Sequence, residues 1–65
     1  MGFYIEEEIV GSTFDGFTAD RIRQKYKVDI VRVLKPKAVM TLEFNLERVN
    51  IFLDEDGIVT KVERG

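Results

Sequence analysis

A strand-turn-strand pattern in the last third of the sequence constrains the fold most. Residues 47–53 alternate polar and apolar side chains with a period of two, which is typical of a half-buried strand. The turn-forming run Asp-Glu-Asp-Gly follows at 54–57, and residues 58–63 form another strand-like segment. We therefore predict an antiparallel hairpin. The acidic turn is not predicted to bind calcium, because it lacks the downstream glutamate at the spacing that a calcium loop requires.

A helix is predicted upstream, where apolar residues recur at helical spacing. The residues expected to be buried there are Phe14, Phe17, Ala19, Ile22 and Tyr26. Ser12 and Thr13 are both candidate caps of this helix, and Ser12 followed by Asp15 resembles a capping box with a shorter acid. Gly16 weakens the first turn by about 1 kcal/mol relative to alanine, so we expect the regular helix to begin at Thr18.

The remaining segments complete an α+β fold. Residues 28–34 predict an apolar strand that Pro36 ends, and residues 3–5 predict an edge strand or arm. The connection between 28–34 and 47–53 is long enough to let these two strands run parallel. Its apolar composition favours an ordered loop. We predict one domain, residues 1–65, with one helix packed on a small mixed sheet (parallel plus antiparallel) and a long exposed loop at 37–46.

Composition excludes several classes of function. The chain has 65 residues, 45% of them hydrophobic and 34% charged, which is typical of a folded protein near the size limit for a hydrophobic core. A net charge of -2 argues against a nucleic-acid partner. Histidine and cysteine are both absent, so we expect no catalytic residue, no metal and no cofactor.

The sequence does not determine the compartment. No apolar run approaches the length of a membrane span, so we expect no membrane partner. The first residues lack the basic region of a signal peptide. Secretion or a periplasmic location would therefore require a signal segment that has been removed, and otherwise we expect a cytoplasmic protein. We expect a monomer.

Four short motifs occur in a distinctive order: Pro36, Thr-Leu-Glu-Phe at 41–44, Arg-Val-Asn at 48–50 and Asp-Glu-Asp-Gly at 54–57. Together they resemble the potato type I inhibitors of serine proteases, such as barley chymotrypsin inhibitor and leech eglin. The similarity is closer to the bacterial and fungal elastase-inhibitor relatives of that fold, and it covers residues 9–65. It implies a substrate-like inhibitor whose partner is a serine protease of the subtilisin, chymotrypsin or elastase type.

The resemblance also implies which residues meet the protease. The protease-binding loop would consist of Val39, Met40, Thr41, Leu42, Glu43 and Phe44. Leu42 would fill the primary specificity pocket, with the scissile bond between Leu42 and Glu43. A leucine suits an apolar pocket and offers nothing to the buried aspartate of a trypsin-like pocket.

In the resembled families, side chains of the strand after the loop reach under it and keep it rigid. Arg48, Asn50 and Gly65 match these loop-supporting positions, with Thr41 and Glu43 as partners in the loop. The chain departs from the pattern at Asn50, which is an arginine in the plant and leech members. It departs again at Arg64, where the elastase-inhibitor branch carries a cysteine.

The residues by themselves leave alternatives open. The segment at 39–42 also fits an ordinary buried or edge strand, and Arg48 also fits a solvated strand residue. The rival function is a non-inhibitory interaction domain on the same scaffold, engineered or degenerate, and a carboxylate-only enzyme is the third hypothesis. A loop that stays uncleaved under protease distinguishes the inhibitor from the interaction domain.

Overall fold

One helix and a four-stranded mixed sheet make up the part of the chain that the computed structural model describes, residues 3–37 and 45–65. The elements in chain order are β1 (Phe3–Tyr4), α1 (Gly16–Tyr26), β2 (Ile30–Leu34), β3 (Arg48–Leu53) and β4 (Val59–Arg64). In the sheet the order is β1-β4-β3-β2. The strands β2 and β3 are parallel, whereas β3–β4 and β4–β1 are antiparallel. The predicted α+β fold is confirmed. Within the described ranges, no helix has the length and apolar character that crossing a membrane requires.

The helix α1 begins at Gly16, earlier than predicted, because Asp15 caps it. Asp15 Oδ1 accepts hydrogen bonds from the Thr18 backbone N–H and the Thr18 hydroxyl, both at 2.9 Å. These bonds favour the charged carboxylate and hold the pKa of Asp15 below its ordinary value. The predicted capping role of Ser12 or Thr13 is wrong. The Ser12 carbonyl instead accepts the Val59 N–H at 2.9 Å.

The buried side of α1 is narrower than the sequence predicted. Ile22 is 2% exposed and lies in the core, with Phe14 and Tyr26 packed against the same cluster. Phe17 is 81% exposed, so its predicted burial is wrong. At 3.6 residues per turn, the direction of Phe17 differs from that of Ile22 by roughly 140°, which carries its ring away from the sheet.

The core lies between α1 and the central strands. Its fully buried members from the sheet are Val49, Ile51, Val59 and Val62. The prediction that β3 is half-buried is wrong, because its first four residues are all buried. This strand lies between β2 and β4, and its polar side chains Arg48 and Asn50 are also buried, at 7% and 2% exposure.

The acidic turn is held by its own first carboxylate. Asp54 Oδ1 accepts the N–H groups of Asp56 and Ile58 at 2.8 and 2.9 Å. Gly57 has a φ of 80°, a left-handed conformation that glycine adopts without steric cost. The predicted turn between two antiparallel strands is confirmed. The Asp54 carboxylate accepts hydrogen bonds from the backbone of the turn.

A second carboxylate joins the segment before α1 to the end of the helix. The Glu7 side chain is 5% exposed, and its Oε2 accepts hydrogen bonds from the Tyr26 hydroxyl and, at 2.9 Å, from Lys25 Nζ. Burial raises the pKa of Glu7, but the two hydrogen bonds outweigh it and bring the pKa below its ordinary value. Burial and the neighbouring Glu7 raise the pKa of Tyr26 to about 12.

We expect Tyr26 to make the folded state pH-sensitive in alkali. In the unfolded chain the phenol ionises near pH 10, whereas in the folded protein it keeps its proton to about 12. Its contribution is therefore complete below pH 10 and is lost as the pH rises to about 12. Urea midpoints measured from pH 8 to 12 should fall less steeply for Tyr26→Phe than for the parent. The control is Tyr4→Phe at a 66% exposed tyrosine, which should follow the parent. Equal slopes for Tyr26→Phe and the parent would contradict the assignment.

Candidate functional site

The candidate site is a layer of polar groups on the face of the sheet opposite the core. Side chains alternate along a strand, so Arg48 and Asn50 point away from the face that carries Val49 and Ile51. Arg48 Nε and Asn50 Nδ2 both donate to the Gly65 carbonyl oxygen, at 2.9 and 2.8 Å. The three predicted loop-supporting residues are therefore brought together by direct hydrogen bonds.

Gly65 is held by hydrogen bonds to both its backbone N–H and its backbone oxygen. Its N–H donates to the Arg48 carbonyl at 2.9 Å, while its own carbonyl accepts the two side-chain donors. Its φ of 142° lies in a region that favours glycine. The hypothesis that Arg48 is a solvated strand residue is excluded by its burial.

Arg32 extends the network from the neighbouring strand. Its Nε donates to Asn50 Oδ1 at 3.1 Å, and the parallel register places Arg32 opposite Asn50. This bond fixes the orientation of the Asn50 amide, so that Nδ2 faces Gly65. We call Arg32, Arg48, Asn50 and Gly65 the polar layer.

Sequence reasoning missed Arg32. It did not include this residue among the loop-supporting positions, whereas the structure turns its Nε towards Asn50. In the sequence, Arg32 stands between two valines in a predicted strand, a pattern that does not indicate its hydrogen-bond partner. The sequence does not fix the register between the parallel strands, and only the register brings Arg32 level with Asn50.

The predicted loop 37–46 is described only at its two ends. Val39, Met40, Thr41, Leu42, Glu43 and Phe44, including the predicted scissile bond, lie outside the described residues. At the upstream end, Lys37 has a φ of 70°, which costs a non-glycine residue about 1 kcal/mol or more. At the downstream end, Asn45 Oδ1 accepts the Glu47 N–H at 2.9 Å and so fixes a tight turn into β3.

The described residues of the site are hydrogen-bond donors and acceptors. Within residues 3–37 and 45–65 there is no cluster of three or more histidine, cysteine or acidic side chains that would hold a metal ion. The polar layer instead presents guanidinium and amide donors, which bind carbonyl and carboxylate oxygens directionally. Such donors hold a neighbouring backbone segment in one conformation.

Comparison with known families decides the general function of this scaffold. The model of the peptidase inhibitor I78 family matches residues 5–65, nearly the whole chain. The chain belongs to the peptidase inhibitor I78 family. The family is one of peptidase inhibitors, which supports peptidase inhibition as the general function.

Solved structures share the fold of this I78 chain. The elastase inhibitor AFUEI aligns with a TM-score of 0.76 at 22% identity, covering 91% of this chain and 81% of the other. Bitter gourd trypsin inhibitor aligns with a TM-score of 0.75 at 24% identity, covering 100% and 96%. No curated protein sequence matches the chain significantly. A protease-inhibitor fold is thus confirmed, and the potato type I assignment made from sequence is not.

Proposed function

We propose that this I78 domain is a substrate-like inhibitor of serine proteases with apolar primary pockets, of the subtilisin, chymotrypsin or elastase type. The observation that carries the proposal is the polar layer, which lies on the face of the sheet away from the core and in which Arg48, Asn50 and Gly65 are buried. Membership of the family supports peptidase inhibition. The hydrogen bonds of the polar layer support the proposal that this layer holds the loop rigid.

The parallel pairing of β2 and β3 defines the path that the loop must take. The chain leaves β2 at Leu34, level with Phe52, and enters β3 at Arg48, level with Ile30. The connection therefore returns along the whole length of β2, about 13 Å at 3.3 Å per residue. Because α1 packs on the core face, we place the loop over the opposite face, where Arg48 and Asn50 lie.

In this proposal Arg48 holds the loop in its bound shape. Its Nε donates to Gly65, which orients the guanidinium plane, and we assign its terminal N–H groups to oxygen atoms around Thr41 and Glu43. Asn50 and Gly65 keep Arg48 in place. An inhibitor needs such rigidity because an ordered loop loses little entropy on binding and its cut ends stay close together.

Binding would use the extended backbone of 39–44 as an added strand in the protease cleft. Leu42 would enter the primary pocket, and the bond to Glu43 would lie at the catalytic serine. The elastase and trypsin inhibitors that share the fold are too distant in sequence to transfer their specificity, so the leucine itself carries this part of the proposal.

The test is to introduce a positive charge at position 42. Leu42→Lys is expected to weaken inhibition of chymotrypsin by at least 100-fold, because an unpaired ammonium is costly in an apolar pocket, and to create inhibition of trypsin. Titration of both enzymes measures the effect. Phe17→Lys adds the same charge at an 81% exposed helix position and should change neither titration. Equal inhibition of chymotrypsin by the parent and Leu42→Lys would sink the assignment of Leu42.

A further inference from the structure

Arg64, at the end of β4, contacts the chain just beyond the proposed contact residues. Its Nε donates to the Leu46 carbonyl at 2.9 Å. The Arg64 backbone is paired on both sides, with Phe3 of β1 and with Val49 of β3. The hydrogen bond therefore joins Leu46 to a residue that the sheet holds in place.

The chain after Leu46 is fixed by different contacts. The Glu47 carbonyl accepts the N–H groups of Asp29 and Ile30 at 3.1 and 3.2 Å, which ties it to the start of β2. The Leu46 side chain is 51% exposed and contributes little packing. Asn45, one residue earlier, is held by local bonds from the Glu47 and Arg48 N–H groups, at 2.9 and 3.1 Å. The contact of the Leu46 carbonyl with Arg64 therefore adds a long-range tie to a different strand, β4.

We propose that Arg64 is a positioning residue that retains the downstream end of the loop after cleavage. The inference rests on the proposed function. Protease-catalysed hydrolysis of the Leu42–Glu43 bond would consume one water, leaving a carboxylate on Leu42 and an amine on Glu43. Resynthesis reverses these changes and releases the water, so it requires the two new ends to remain in contact.

The physical effect of Arg64 is to restrict the segment that follows the cut. Among the described residues, this segment is held by local bonds from Glu47 and Arg48 to Asn45 and by the long-range bond from Arg64 to Leu46. Without the Arg64 bond, the segment loses its contact with β4 and keeps the local bonds and the Glu47 contacts with the start of β2, so the freed end samples more conformations. The chain has no cysteine, so this end of the loop is held without a disulfide. Cut protein lacking the Arg64 contact should therefore be resealed less often.

Two substitutions separate the hydrogen bond from the charge. Arg64→Ala removes the donor, whereas Arg64→Gln keeps an N–H donor the same number of bonds from Cα as Arg Nε and removes the charge. Each protein is incubated with a catalytic amount of subtilisin, starting once from intact and once from cut material. Mass spectrometry then gives the equilibrium ratio of intact to cut chains. The control is Arg21→Ala, at an exposed position on α1.

We expect Arg64→Ala to lower the ratio of intact to cut chains about fivefold, as for the loss of one net hydrogen bond. Arg64→Gln and Arg21→Ala should stay within about twofold of the parent. An unchanged ratio for Arg64→Ala would overturn the positioning role, and so would a ratio for Arg64→Gln as low as that for Arg64→Ala. A parent that does not inhibit subtilisin and is cut completely would instead refute the proposed function, and this inference with it.

Discussion

Arg48→Ala is expected to turn a slowly cleaved inhibitor into a rapidly cleaved substrate. Arg48 is 7% exposed and donates to the buried carbonyl of Gly65, so its loss removes the group that the proposal places beneath the loop. We expect hydrolysis of the loop by subtilisin to accelerate on the order of 10- to 100-fold, while the rate of association changes little. Time courses of intact mass measure the first rate, and stopped-flow inhibition measures the second.

Burial of Arg48 also predicts a stability cost. Removing a charged donor from a buried network costs roughly 1–3 kcal/mol, more than a surface contact would. Arg48→Lys should recover only part of the slow cleavage, because an ammonium lacks the planar fork that can serve two acceptors. Arg21→Ala serves as the control for general loss of an arginine. If Arg48→Ala is cleaved no faster than the parent, the supporting role of Arg48 is wrong.

Ile51→Ala is expected to cause the largest loss of stability. Ile51 is fully buried between β2 and β4, in the strand that carries the polar layer. Large-to-alanine substitutions at such positions cost 2–5 kcal/mol, which is a large share of the stability of so small a protein. Urea denaturation measures the change.

Two controls distinguish the core from the exposed apolar residues. Phe17→Ala removes a larger side chain that is 81% exposed, and it should change the free energy of unfolding by less than about 0.5 kcal/mol. Leu42→Ala should also leave stability nearly unchanged if Leu42 belongs to an exposed loop. A large loss at Leu42 would show instead that the segment is a core strand.

Much of the fold could be predicted from local patterns. The alternation before and after the Asp54 turn gave the hairpin, and the long connection gave the parallel pair β2–β3. Helical spacing found α1 but assigned Phe17 to the core, because the regular helix was expected to begin only at Thr18. The cap at Asp15 starts the helix at Gly16, and helical geometry then turns Phe17 away from Ile22. The cap was misassigned to Ser12 because Asp15, three residues later, fits the acidic position of a capping box. In the structure Asp15 is itself the cap.

The site was less accessible to sequence reasoning. The alternating pattern correctly assigned Arg48 and Asn50 to one face of β3, but it predicted that this face is exposed to solvent. A strand can be buried on both faces, and burial of the face opposite the core depends on segments that are distant in sequence. Family resemblance pointed to Arg48, Asn50 and Gly65, and the structure brings these three together. Arg32 reaches Asn50 because of the strand register, and Arg64 reaches Leu46 through a contact between distant segments. Local sequence patterns predict neither contact.

The most direct test of the account follows inhibition and loop cleavage in the same sample. Equimolar protein and subtilisin are mixed, and residual activity and intact mass are recorded together over many hours. The account predicts that activity stays suppressed, that most of the chain remains intact, and that the one cut that accumulates lies between Leu42 and Glu43. Rapid cleavage at several bonds of 37–46 with full return of activity would contradict it, and would favour a non-inhibitory interaction domain on the same scaffold.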